Sequence, residues 1–150
     1  YKNAKCTLEN LFMMSAIPII NENDPISTEQ LEFGDNDTLS AYVAKLVGAD
    51  LLIILTDIDG FYDKNPKTNP DAKIIDTVYK IDEKTEKCAG KEGSNRGTGG
   101  MITKIHAAKI ATEAGADMII ANGKNPYILY EIFDGEKKGT RFVANKEEQK

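Results

Sequence analysis

Apolar residues recur along this chain in two rhythms. Residues 3–14 carry Leu8, Leu11 and Phe12 at the spacing of one face of an amphipathic helix. Ile17-Pro18-Ile19-Ile20 is a short apolar run between polar residues and predicts a buried strand, and the loose alternation over 26–33 suggests a hairpin. Asp37 is placed to cap a helix running through Val47, with Leu39, Val43, Leu46 and Val47 on one face and Gly48 as its stop. Leu51-Leu52-Ile53-Ile54-Leu55 has no polar alternation at all, as a strand covered on both faces of a parallel sheet requires.

The next stretch is punctuated by Gly60, Asn65-Pro66 and Asn69-Pro70, turn formers that precede a short strand predicted over 74–78. A glycine-rich loop over 90–100 leads into a helix predicted over 101–113, which Gly115 ends, and Met118-Ile119-Ile120-Ala121 reads as another buried strand. A last helix is expected over 126–133 and an edge strand over 140–143, and the charged tail after Asn145 is expected to be disordered. Strand, helix, strand, loop, helix, strand is the order of βαβ units, so the predicted fold is α/β: a three-layer α-β-α sandwich with a mainly parallel sheet. The chain opens at Tyr1 with a helical pattern already under way. That predicts one partial domain over 1–150, lacking its N-terminal part.

Composition narrows the classes. With 41% hydrophobic and 29% charged residues, the 150-residue chain has the balance of one globular domain, and its longest apolar runs fall far short of the roughly 20 residues that cross a bilayer. A cytoplasmic protein without a membrane partner is the expectation. The net charge of −5 excludes a broad phosphate-backbone footprint, so no nucleic-acid partner is expected and any anionic ligand must be held locally. Cys6 and Cys88 lack the spacing of a metal or redox pair and read as reduced, structural residues. His106 is the one histidine, so a histidine-centred metal site or a Ser-His-Asp mechanism would rest on it alone, and no metal-ligand set is assigned. Tyr42 and Tyr62 read as packing residues.

Three polar clusters fall where predicted strands end, the place where ligands bind in open parallel sheets. Gly97-Thr98-Gly99-Gly100-Met101-Ile102-Thr103-Lys104 combines glycines, hydroxyls and a lysine at a loop-to-helix junction. Glycines let backbone N–H groups approach an anion, the helix N-terminus adds positive potential, and lysine adds a point charge. The run matches neither the P-loop nor G-x-G-x-x-G, and a flexible loop with a helix cap explains it equally well. Gly34-Asp35-Asn36-Asp37, with Asn21-Glu22-Asn23-Asp24 at a neighbouring strand end, offers more carboxylates and amides than two turns need. These groups could bind a zwitterionic amino acid while a carboxylate orients a lysine or Mg²⁺. On residue types alone, turns and caps remain the favoured account. Thr56-Asp57 with Asp59-Gly60 also reads as a tight turn.

Taken together, Ile17-Pro18-Ile19-Ile20-Asn21-Glu22-Asn23-Asp24, Phe33-Gly34-Asp35-Asn36-Asp37-Thr38-Leu39-Ser40, Leu55-Thr56-Asp57-Ile58-Asp59-Gly60-Phe61-Tyr62 and the run 97–104 resemble the amino acid kinase family. The first two pieces are similar to its glutamate 5-kinase branch, and the resemblance runs from Tyr1 to about Phe142. It implies ATP-dependent phosphorylation of the γ-carboxylate of glutamate, the first step of proline biosynthesis, with ATP and Mg²⁺ as cofactors. It also implies proline as feedback inhibitor and a homo-oligomer. Residue by residue, it implies that Asp24 and Asn36 contact glutamate, with Asn21 and Asp35 supporting that pocket. Thr56 and Asp57 would line the nucleotide site, and Thr98, Gly99, Gly100, Met101, Ile102, Thr103 and Lys104 would wrap the ATP phosphates. Asp37 would orient catalytic lysines, and Lys104 would neutralise charge on the transferring phosphoryl. The family's opening lysine-bearing strand with its glycine-rich turn, and a following Gly- and Ser-containing loop, have no counterpart here, which predicts that this polypeptide alone is a poor catalyst. An acetylglutamate or UMP kinase, or a nucleotide-binding module without turnover, are the alternative expectations.

Overall fold

A computed structural model describes residues 2–21, 36–90 and 100–145. The helix α1 (Lys2–Met13) comes first, and α2 (Asn36–Val47) precedes the strand β1 (Leu51–Thr56). Then come β2 (Thr77–Val78), α3 (Glu83–Gly90), α4 (Met101–Glu113), β3 (Asp117–Asn122), α5 (Ile128–Phe133) and β4 (Thr140–Phe142). The four strands form one sheet in the order β1-β3-β4-β2. β1 and β3 are parallel from Leu51↔Asp117 to Thr56↔Asn122, β2 and β4 are parallel, and β3 and β4 run antiparallel.

The sheet sorts its side chains by strand periodicity. Met118 and Ile120 point to the face covered by α2 and α4, where they pack with Ile54, Ile105, Ala107, Ala108, Ala111 and Phe142. Ile119 and Ala121 point to the other face, against Ile132 and Ile128 of α5. Helices on both faces make the three layers that the sequence predicts, with a mainly parallel sheet at the centre. Ala41, Ala44, Ala107, Ala108 and Ala111 are all buried, and such small side chains let the α2 and α4 axes approach closely.

Two short α-to-β connections set the polarity of the molecule. Gly48 (φ +66°) ends α2 three residues before β1, and Gly115 (φ +91°) ends α4 two residues before β3. Each helix therefore runs back along the strand that follows it. The N-termini of α2 and α4 and the carboxyl ends of β1 and β3 share one edge of the sheet, and the candidate site lies there.

Several expectations are corrected. Residues 17–20 form no strand: they are irregular, with Ile17 91% and Ile19 96% exposed. An apolar run becomes a strand only when a sheet edge pairs with it, and none of the described strands does so. The strand at 140–142 is internal rather than at an edge, because β2, only two residues long, pairs with its far side. The strand predicted over 74–78 contracts to Thr77–Val78 plus a single antiparallel bridge between Tyr62 and Ile74. α3 was not foreseen, although Asp82 accepts hydrogen bonds from the Thr85 amide (2.9 Å) and hydroxyl (3.0 Å) as an N-cap would. β1 packs on both faces, Leu52 and Ile54 against one core cluster and Leu51 and Ile53 against the other, but less completely than its unbroken apolar run predicts, with Leu55 40% exposed. The predicted hairpin over 26–33, most of the glycine-rich loop and the tail beyond Asn145 lie outside the described residues.

Candidate active site

The first half of the site is an ion pair between two helix starts. Asp37 sits in the first turn of α2, where the macrodipole favours a carboxylate, and Lys104 sits in the first turn of α4, where it disfavours a cation. The Lys104 Nζ lies 2.8 Å from Asp37 Oδ2, with only 9% of the lysine side chain and 14% of the aspartate side chain exposed. A lysine so placed is held against both desolvation and the helix dipole, and the Asp37 charge offsets those costs. The Thr103 hydroxyl lies 3.0 Å from Asp37 Oδ2 and 2.7 Å from the Gly100 carbonyl oxygen, and its single proton serves one of them at a time.

The second half lies at the ends of β1 and β3. Leu55, Thr56 and Asp57 face Asn122, Gly123 and Lys124 across an open depression of about 460 Å³. The Thr56 hydroxyl donates to Asp57 Oδ1 (3.1 Å), and the Gly123 amide donates to the Thr56 carbonyl oxygen (2.8 Å). Asn122 ties the two loops together: its Nδ2 donates to Asp59 Oδ1 (2.7 Å) and its Oδ1 accepts from the Lys124 amide (2.9 Å). The Tyr62 hydroxyl reaches Asp59 Oδ2 at 3.5 Å. Partial burial, then the neighbouring Asp59 charge and the hydrogen bond to it, push the Tyr62 phenol above its ordinary value.

A buried anchor fixes this loop. The Phe61 amide donates to Thr140 Oγ1 (2.8 Å), Thr140 is wholly buried, and the Phe61 ring packs against Phe142 with centroids 6.2 Å apart. Gly60 fits only because it lacks a side chain, since a Cβ there would lie 2.9 Å from Thr140 Oγ1.

Of the residues assigned from sequence, Asp37, Thr103 and Lys104 are brought into direct contact, with Gly100 bonded to Thr103. Thr56 and Asp57 line the separate depression at the same edge. Met101 is half-buried, Ile102 is 57% exposed, and Asn21 and Asn36 are exposed. Asp24, Asp35, Thr98 and Gly99 lie outside the described residues. His106 is exposed, on the same helix as Lys104. Asn122, Gly123, Lys124 and the anchoring Thr140 were not singled out from sequence. Asn-Gly after a buried apolar strand was the available signal, and it reads locally as a turn.

A mainly parallel α/β sheet, with a glycine-capped helix start and a buried lysine–aspartate pair at one edge, is an arrangement suited to holding an anionic ligand. The amino acid kinase family model matches residues 1–122, and the chain belongs to that family. A glutamate 5-kinase of Clostridium perfringens is 57% identical over 98% of this chain. The chain spans 56% of that relative's length and about two-fifths of some others'. A UMP kinase from Ureaplasma parvum, 13% identical, shares the fold at a TM-score of 0.59 over 93% of this chain and 52% of its own. A carbamate kinase from Giardia lamblia bound to AMP-PNP is 25% identical, with a TM-score of 0.51 over 74% of this chain and 32% of its own.

Proposed function

We propose that this chain forms the nucleotide half, and part of the phosphoryl-transfer machinery, of an enzyme that phosphorylates the γ-carboxylate of L-glutamate with ATP. The observation that carries this reading is the buried Lys104–Asp37 pair at the edge where two helix starts and two strand ends meet. The 57% identity to a glutamate 5-kinase supports the choice of glutamate over acetylglutamate or UMP. AMP-PNP bound to the carbamate kinase neighbour supports ATP as donor.

Phosphoryl transfer asks a protein for position and charge neutralisation more than for covalent help. A γ-carboxylate oxygen of glutamate attacks the terminal phosphorus of ATP, the bond to the bridging oxygen breaks, and ADP leaves with that electron pair. In this reading Lys104 faces the phosphoryl oxygens and Asp37 holds it in place. Thr98, Gly99, Gly100, Met101, Ile102 and Thr103 surround the phosphates, Thr56 and Asp57 hold the nucleoside, and Asp24 and Asn36 read glutamate with Asn21 and Asp35 behind them. Among the described residues no three His, Cys, Asp or Glu side chains cluster to hold a metal. In this reading Mg²⁺ would arrive with ATP, since this ion is usually held by phosphates, water and one or two carboxylates. Bound there, it would neutralise phosphate charge. A cytoplasmic location, proline inhibition and a homo-oligomer belong to the same proposal; among the described residues no helix is long and apolar enough to cross a membrane.

Hydroxylamine converts an acyl phosphate into a stable hydroxamate, so the test is hydroxamate and ADP formation with glutamate, acetylglutamate and UMP side by side. The native gene product carrying these residues should turn over glutamate, and the 150-residue chain alone should be far slower. Preference for another acceptor would replace the substrate assignment. Within that assay, Asp24→Ala or Asn36→Ala should raise the glutamate KM far more than the ATP KM.

A further inference from the structure

The depression at the ends of β1 and β3 contains a cation that the residue assignments above leave unused. Lys124 lines it, is exposed, and has no ion-pair partner among the described residues. The nearby carboxylates take their hydrogen bonds from other groups: Asp57 from Thr56, and Asp59 from Asn122 and Tyr62. Without Lys124 the lining would carry only the negative charge of Asp57, with Asp59 behind it, and a polyphosphate would be repelled.

The loop is held so that the side chain alone is free to act. The Gly123 amide is bonded to Thr56 and the Lys124 amide to Asn122, so the backbone of this turn is held while the ammonium makes no ion pair among the described residues. Gly123 lies flat against the β1 end, where a Cβ would meet the Leu55 Cβ at 2.9 Å. A flat peptide beside the exposed Leu55 offers an apolar seat for a base, and Asp57 offers an acceptor for ribose hydroxyls. Both residues of this seat beyond Asn122 lie outside the segment that the family model matches.

We infer that the Lys124 ammonium pairs with the phosphate chain of the nucleotide in this depression, making it an affinity-determining residue supplied by the β3–α5 loop. This rests on the proposed reading of the depression as the nucleotide site. The residue acts on binding rather than on the reacting atoms, because phosphoryl charge at the other half of the site is met by Lys104.

Calorimetric titration of the native gene product with ADP and with adenosine, both free of magnesium, separates the two ideas. Lys124→Gln should weaken ADP about tenfold and leave adenosine unchanged, as the loss of one charge-assisted phosphate contact does. Lys124→Arg should retain most of the ADP affinity, and raising the salt concentration should narrow the gap between wild type and Lys124→Gln. Unchanged ADP affinity in Lys124→Gln, or an equal loss of adenosine, would overturn the inference while leaving the nucleotide site in place. Failure of the wild type to bind either ligand would overturn the reading of the depression itself, and the inference with it.

Discussion

The two halves of the candidate site obey opposite rules. Asp37 and Lys104 are helix-borne, largely dry and charge-compensated, whereas Thr56, Asp57, Asn122 and Lys124 sit on strand ends and turns around an open depression. A group that must meet developing charge gains from burial, because a low local dielectric strengthens it and packing fixes its direction. A group that must admit and release a large polar ligand gains from staying wet, since ordering and desolvation would otherwise consume its affinity. Backbone bonds and the Asn122 bridge supply rigidity in the open half, as tight packing does in the closed one.

Breaking the closed half should cost most. Asp37→Asn strands a largely buried ammonium, and loss of one partner of such a pair destabilises a fold by about 3 to 5 kcal/mol, read from denaturant midpoints. The double substitution Asp37→Leu with Lys104→Met should lose less stability than Asp37→Asn alone, because no charge is left uncompensated. If the double variant were the less stable, desolvation would not be the governing cost.

Lys104→Ala should lower turnover of the native gene product roughly 30- to 1000-fold, equivalent to about 2 to 4 kcal/mol of transition-state stabilisation. Its effect on stability should be smaller than that of Asp37→Asn, since the carboxylate left behind sits at a helix start that favours it. Near-normal turnover would remove Lys104 from phosphoryl transfer and dissolve the contrast between the halves.

Asn122→Ala should act on the open half alone. Loss of its two tethers, worth about 1 kcal/mol together in so exposed a place, should weaken nucleotide binding severalfold with the glutamate KM unchanged. An equal change in both constants would mean that the halves are mechanically coupled. Smallest of all, Lys109→Ala removes a half-exposed pair with Glu86, on the same helix as Lys104 but away from its first turn. It should shift stability by less than about 0.5 kcal/mol and vanish as a difference in high salt, whereas the Asp37 effect should persist.

Much of the fold is legible in the sequence. The helix over 101–113, the strands around 51–55 and 118–121, and the stops at Gly48 and Gly115 follow from periodicity and from glycine's access to positive φ, which act over a few residues. Lys104 and Asp37 were named from a glycine-rich helix start and a family resemblance. The resemblance implies that Asp37 orients catalytic lysines, but no local rule pairs it with Lys104, because 67 positions separate them and only the packing of α2 on α4 brings them together.

Other features depended wholly on tertiary neighbours. Residues 17–20 have strand-like composition but stay irregular for want of a paired edge, and 140–142 became internal only because β2 lies beside it. The Asn122–Asp59 bridge, the Thr140 anchor of Phe61 and the position of Lys124 join segments that are 63, 79 and many residues apart, and no local rule relates them. Sequence alone determined the long periodic elements, α2, α4, β1 and β3, and which residue types could carry phosphate chemistry, since propensity and charge are local. Sheet order and helix docking decided which of those residues meet, because a site depends on convergence in space and chain spacing does not encode it.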